Sequence, residues 1–447
     1  MSDQRGATGA AVDGLAGWAS ALAWEDVPSE VAERLRTVLF DALGATALGA
    51  GTEDQRALRA AWPAAPGDAP LVAGKRRVDA PTAAFLNAQA MVCLELDEGN
   101  KHAGGHPSAH GFPAVLALAA ELDVPGPRVL AALLVAYEVS ARFGRTTALN
   151  AGVHPHGNWG VPGAAAGCAV LLGLDAARVA AAIDAGSGMP VAGHFDSALD
   201  GNPVRDAWMG MANHSGIAAA RMAEAGVARN TGTAALSLGG LLGEFDPGRL
   251  TELLGERYDV LGNYFKRHAS CSFTHPAADL ALRARSELFD GVAAAEIARR
   301  VAAVRVDTHA LGAGLNRTGW HNRLSAMFSV PFVVAAALLD GKVGPEQAVD
   351  DPKLAELARR VEVTEDPELT RRLPDQRAAR MTVLTEDGRR WVEEVPNPVG
   401  DSDFHPLGRD QLAELFGDPD TLWDVVDRLP RAQGARELLG RLAEVRS

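Results

Sequence analysis

Cysteine is scarce in this chain of 447 residues: Cys93, Cys168 and Cys271 are far apart and form no Cys-x-x-Cys pair. That excludes a disulfide framework and a zinc knuckle, and fits a reducing, cytoplasmic setting. Aromatic residues are only 5% of the chain, while alanine and other small residues recur where helices would touch, which favours close helix packing over a sheet sandwich. Long basic runs are missing too. With 57 Asp plus Glu against 43 Lys plus Arg, the formal net charge of −14 argues against a nucleic-acid partner. Apolar stretches are interrupted by glycine or charge before they reach membrane-span length, and Met1-Ser-Asp-Gln-Arg-Gly-Ala lacks the form of a signal peptide, so no membrane partner is expected. A P-loop, a Gly-x-Gly-x-x-Gly turn after a strand and a Gly-x-Ser-x-Gly elbow are all lacking, which removes the usual support for nucleotide, dinucleotide and serine-hydrolase readings.

What the chain does contain is concentrated between Glu95 and His110. Glu95, Asp97, Glu98, Lys101, His102, His106 and His110 stand among glycines and Pro107, so groups that exchange protons near neutral pH share a run expected to stay out of a helix. Upstream, Asp79-Ala-Pro81 predicts a capped helix start leading into a nearly all-apolar helix. Downstream, Phe112 to Leu122 predicts a second buried helix, which sets the loop in a cleft between them. His102, His106 and His110 recur every fourth residue, but the glycines and Pro107 argue against the helix that would align them, so no metal site is expected.

The length calls for two domains. Apolar spacing of three and four from Pro28 to about residue 260 predicts a helical bundle, with helices over 127–143, 162–184, 205–225 and 247–256; residues 1–10 are expected to be mobile. Past residue 266 the pattern changes. A helix near 276–288, a strand at Val301–His309, a hairpin over 378–395 turning at Asp387-Gly388 and a helix over 324–339 predict a smaller α/β unit. Helical segments at 409–417 and 433–446 then suggest a return to the first domain. The fold class expected is mainly α: a large all-helical domain (1–265, completed by 400–447) and a smaller α/β lid domain (266–399).

Three further constellations carry charge or imidazole. Val153-His154-Pro-His156-Gly157 bends between helices and can aim imidazoles into a cavity. Arg205, at the start of a helix, can join the helix dipole in holding a carboxylate, with surface pairing to Asp206 as the alternative. Lys266-Arg267-His268, followed by Ser270, Cys271, Ser272 and Thr274 at the domain junction, has the composition of an anion clamp.

The Glu-Leu-Asp-Glu-Gly-x5-Gly-His-Pro loop, the Val-His-Pro turn, Ala-Asn-His214-Ser-Gly, Lys266 with Thr274-His275-Pro276, and Phe328-Ser329-Val-Pro with Ala-Ala-Leu-Leu-Asp-Gly341 together resemble the MmgE/PrpD family, from about residue 14 to 440. That family includes 2-methylcitrate dehydratase, cis-aconitate decarboxylase and an iminodisuccinate epimerase. The resemblance implies the helical domain with its lid, a homodimer, a small anionic carboxylate substrate and no obligatory cofactor. It places the family's acid on Glu95, where Asp is more usual, and its histidines on His106 and His154, with the junction lysine kept as Lys266. Arg205 replaces a family lysine, Trp208 a histidine, and Cys271 a histidine of the decarboxylases.

The expected catalytic residues are therefore Glu95, Asp97, His106, His154 and Lys266; substrate binding is expected from Lys101, Arg205, Arg267, Cys271 and Ser272. Cations would neutralise the charge that develops beside a carboxylate, while one histidine removes a proton and another group protonates the departing hydroxyl. The expected activity is that of a cofactor-independent lyase, most simply a dehydratase (hydro-lyase) of a 2-methylcitrate-like hydroxylated di- or tricarboxylate. An isomerase, an epimerase or a decarboxylase on a related acid, and a non-catalytic ligand-binding homologue, are the alternatives.

Overall fold

The computed structural model describes residues 2–446. Helices α1 (Ser2–Ala21), α2 (Ser29–Ala50), α3 (Ala80–Val92), α4 (Pro107–Leu122), α5 (Gly126–Thr146), α6 (Val161–Leu171), α7 (Ala176–Ser187) and α8 (Val204–Glu224) make the bundle. Asp79 caps α3 by accepting the Thr82 N–H at 3.0 Å, with Pro81 in the first turn where its missing N–H costs nothing. Close approach is why alanine and glycine are so frequent: a Cβ on Gly163 of α6 would sit 2.0 Å from Ser140 Oγ and 2.5 Å from the Ala136 carbonyl oxygen of α5.

Pro113 lies inside α4, where it leaves the Ala109 carbonyl without its helical donor. Asn213 of α8 repairs the gap: its Nδ2 donates to Ala109 O at 2.8 Å and its Oδ1 accepts the Ala114 N–H at 2.9 Å. A helix defect thus becomes a tie between α4 and α8, the two helices that begin beside the candidate site.

After residue 270 a second core forms on α9 (His275–Phe289) and α10 (Val330–Asp340), covered by a four-stranded sheet. In it β1 (Val301–Thr308) runs parallel to β2 (Val361–Glu365) and antiparallel to β3 (Ala379–Thr385), which pairs with β4 (Arg390–Val395) through the turn at Asp387-Gly388, where Gly388 has φ 85°. Side chains from Leu407 to Val445, among them Trp423 stacked on Phe40 and Phe416 edge-on to it, lie in the first core. The fold is mainly α with a small sheet-bearing C-terminal unit.

Several local expectations are corrected. Residues 2–10, expected to be mobile, belong to α1, which packs on α7. The helix expected over 162–184 is broken in two, since Gly173 adopts φ 71°. Residues 247–256 form a 3-10 turn and further turns instead of a helix. The helix expected over 324–339 is interrupted at Phe328-Ser329, because Ser329 Oγ caps α10 by accepting the Phe332 N–H at 3.0 Å. Pro107 starts α4 rather than excluding helix, so His110 is helical.

Candidate functional site

The loop from Cys93 to His106 crosses the top of the bundle between α3 and α4. A short ladder fixes it: Gly99 and Asn100 pair antiparallel with Tyr264 and Asn263. This pairing brings Lys266, two residues beyond the ladder, against the acidic residues. Lys266 Nζ donates to Glu95 Oε2 at 2.9 Å and lies 3.8 Å from Asp97 Oδ1. Glu95 has φ 52°, a left-handed conformation uncommon outside glycine, and is 2% exposed. Its other oxygen pairs with Arg205, whose guanidinium also donates to Asp206 Oδ1 at 2.7 Å and Val92 O at 2.8 Å.

Asp97 is fully buried, its carboxylate set between the His106 ring and the Lys266 ammonium. Burial opposes its charge, but His106 and Lys266 outweigh that and hold its pKa below the ordinary value. His106 Nδ1 lies 2.7 Å from the Glu98 carbonyl oxygen and 2.9 Å from Asp97 Oδ2. Both neighbours can only accept, so Nδ1 carries a proton. Burial pulls the His106 pKa down; Asp97 more than compensates, and the net shift is upward.

The turn between α5 and α6 supplies imidazoles of opposite character. His154 stacks on Phe195 with centroids 5.2 Å apart and meets Trp208 at 5.4 Å; burial, then His106 and His110, push its pKa down to about 3. Its Nδ1 accepts the His156 N–H at 3.1 Å, so neutral His154 carries its proton on Nε2. His156 is held neutral by burial and the neighbouring histidines, and its buried Nδ1 has no partner among the described residues. The His156 ring packs edge-on between His154, at 4.4 Å, and His106, at 5.3 Å. His110 is satisfied by main chain instead: Nδ1 donates to His106 O at 2.9 Å and Nε2 accepts the Gly157 N–H at 3.2 Å.

Glu95, Asp97, His106, His154, Lys266 and Arg205 thus converge in one buried cluster. Cys271 is also buried, its thiol pKa raised by burial, and its N–H donates to Met327 O at 3.0 Å. Ser272 Oγ accepts from Arg377 Nη1 at 3.0 Å. Two expected binding residues lie elsewhere. Arg267 is exposed. Lys101 is spent on Asp401 at 3.0 Å, Asp403 at 2.7 Å and the Asp375 carbonyl at 3.0 Å, which ties the acidic loop to the C-terminal unit. The convergence of side chains from loops far apart in sequence cannot be read from spacing, which leaves Tyr264 and Arg377 unmarked in the sequence.

Beside the cluster a cleft of about 660 Å³ opens between the two units, lined by Cys93, Leu94, Pro203 and Asp206 on one side and Asn322, Arg323 and Glu346 on the other. Among the described residues no set of three or more His, Cys, Asp or Glu is arranged to hold a metal ion, and no helix is long and apolar enough to cross a membrane.

A family model described as the MmgE/PrpD N-terminal domain matches residues 13–238, and one described as the MmgE/PrpD C-terminal domain matches residues 268–417. The chain belongs to the MmgE/PrpD family. It is similar to a cis-aconitate decarboxylase of Aspergillus terreus, 26% identical over 417 residues that cover 86% of this chain and 84% of that one. A cis-aconitate decarboxylase-like protein of Aspergillus oryzae, oryM, is 26% identical over 285 residues, 58% of each chain. In this member of the MmgE/PrpD family, the N-terminal match supplies the acids and histidines and the C-terminal match begins just after Lys266.

Proposed function

We propose that this chain is a lyase for small polycarboxylates that works without a bound cofactor, and most simply a dehydratase of a hydroxylated di- or tricarboxylate. The observation that carries this reading is the opposed tuning of neighbouring imidazoles: His106 is biased towards imidazolium, His154 and His156 towards neutral. Pairs of titratable groups pushed apart in this way suit simultaneous acid and base work. His156 Nδ1, which has no partner among the described residues, takes the proton from the carbon next to a carboxylate. The His154 Nε2–H donates to the enolate-like oxygen, beside the Lys266 ammonium that Glu95 and Asp97 hold in place. The C–O bond then breaks as His106 gives the Nε2 proton to the departing hydroxyl, releasing water and leaving a double bond.

Decarboxylation is the second reading, favoured by the curated relatives named for that activity on cis-aconitate. There the C–C bond to carbon dioxide breaks and the His106 imidazolium protonates the carbanion, so the base is not needed. Cys271, standing where the resemblance puts a histidine in decarboxylases, weighs towards dehydration. Purified protein incubated with 2-methylcitrate, citrate and cis-aconitate decides between them. Dehydration produces double-bond absorbance with the hydroxy acids and no carbon dioxide, whereas decarboxylation releases carbon dioxide from cis-aconitate. Neither signal with any of these and related acids would count heavily against both.

A further inference from the structure

The cations expected to hold substrate are already neutralised from within. Lys266 faces Glu95 and Asp97, and Arg205 faces Glu95 and Asp206, so each enters the cluster with its counter-charge supplied. Arg377 is different. It is 4% exposed, yet among the described residues no carboxylate comes within ion-pair distance of its guanidinium. Its contacts are a single donated hydrogen bond to Ser272 Oγ at 3.0 Å and the faces of Tyr264 and Phe273, at 4.4 and 5.4 Å from their ring centroids. A buried cation without an anion is costly, and an arginine retains several unused donors in a planar fork suited to a carboxylate.

The surroundings hold that fork in place. The Arg377 N–H donates to Asn397 Oδ1 at 2.8 Å, and the next residue's carbonyl accepts from Thr308 Oγ1 at 3.1 Å. Lys101 of the acidic loop reaches across to the Asp375 carbonyl, two residues before Arg377. Tyr264, under the guanidinium, pairs through its main chain with Gly99, and a Cβ on Gly99 would lie 2.3 Å from the Tyr264 hydroxyl. Tyr264 stands two residues before Lys266, which donates to Glu95, so the guanidinium over the Tyr264 ring borders the same cluster from the lid side.

We propose that Arg377, with the Ser272 hydroxyl beside it, is the anchor for a carboxylate of the substrate, set on the lid side opposite the histidines. This deepens the polycarboxylate reading and rests on it for the ligand class. A di- or tricarboxylate would span the cluster: one carboxylate on Arg377, the reacting carbon towards the imidazoles and Lys266. Monocarboxylates would forgo one end of that span.

The probe is tricarballylate, a tricarboxylate without a hydroxyl to eliminate, titrated calorimetrically into the full-length protein, with acetate at matched ionic strength as control. Arg377→Met is expected to weaken tricarballylate binding roughly 10–100-fold, and Arg377→Lys to recover part of it. Unliganded Arg377→Met should melt at or above the temperature of the unsubstituted protein, because an unpaired buried charge has been removed. Tricarballylate binding within threefold of the unsubstituted protein, no binding by the unsubstituted protein itself, or a lower unliganded melting temperature that lysine restores would overturn the anchor. Binding is measured without turnover. Failure to transform any acid would therefore remove the lyase reading while leaving an Arg377-dependent affinity intact.

Discussion

Asp97 Oδ2 lies 2.9 Å from His106 Nδ1, and both groups are buried. The same nitrogen is only 2.7 Å from the Glu98 carbonyl oxygen, so main chain orients the ring and the carboxylate sets its charge. That division of labour lets Asp97 be changed with little loss of ring position. Asp97→Asn keeps the shape and removes the attraction that raises the His106 pKa, leaving the opposing effect of burial. A group whose folded pKa is raised is protonated below that value and loses its proton as pH rises through it. The alkaline limb of activity should thus lie above 6.5 in the unsubstituted protein and move to lower pH in Asp97→Asn, with kcat reduced about 100-fold or more. A pH profile of kcat for the two proteins checks this; an unmoved limb would sink the assignment of His106 as acid.

His154 and His156 are two residues apart yet present opposite faces of imidazole chemistry. With His154 Nδ1 occupied by the His156 N–H, His154 offers a donor; His156 keeps a nitrogen without a partner among the described residues. His156→Gln should abolish solvent-deuterium exchange into substrate, with kcat falling by roughly 10²–10⁴. His154→Gln retains a donor and should cost less, on the order of tenfold. Isotope exchange followed by mass spectrometry separates the two, and equal losses would contradict the assignment of base to His156.

Periodicity and capping made much of the fold legible. Asp79-Ala-Pro81 marks a helix start because the carboxylate and the proline act locally, and the Asp387-Gly388 turn is legible because Gly388 supplies φ 85° at no steric cost. The break at Gly173 escaped because its flanks are apolar and alanine-rich on both sides, so a single pattern runs through it. In the candidate site, titratable residues crowded among glycines gave Glu95, Asp97 and His106. Lys101 shows the limit of that signal: its carboxylate partners, Asp401 and Asp403, lie some 300 residues away. Arg377 stands between Gln376 and Ala378 with nothing local to distinguish it; only its burial without a counter-ion does so.

Arg205 sits between two carboxylates, and its removal bears on stability more than on chemistry. Arg205→Met would leave Glu95 and Asp206 buried with one cation fewer, and a broken buried pair typically costs about 3–5 kcal/mol. Chemical denaturation of the variant should show that loss at pH 8 and less of it at pH 5, where Asp206, whose carboxyl pKa burial already raises, takes up a proton more readily. A pH-independent loss would mean that packing of the side chain, not its charge, is what α8 requires.

Glu98 gives the clearest pH signature of stability. Its Oε1 accepts the Ser108 N–H at 3.0 Å and its Oε2 the Tyr137 hydroxyl at 3.2 Å, while its own N–H donates to Asp41 Oδ2 at 2.8 Å. Burial outweighs those hydrogen bonds and lifts its pKa from 4.5 to about 7. The folded protein therefore binds a proton here that the unfolded chain releases between those values, and stability falls as pH rises from 4.5 to 7, then levels off. The penalty at pH 8 is on the order of 3 kcal/mol. Glu98→Gln preserves an acceptor for Ser108 and cannot ionise, so it should melt above the unsubstituted protein at pH 8 and match it near pH 4.5. Because the Glu98 carbonyl also holds His106, the same variant should keep kcat within about threefold, since the main chain is unchanged. Thermal melts across pH 4.5–8 test the first part. A variant less stable at pH 8 than at pH 4.5 by the same margin as the unsubstituted protein would assign the pH dependence to other buried carboxyls whose pKa burial raises, Asp41 of α2 and Glu138 of α5.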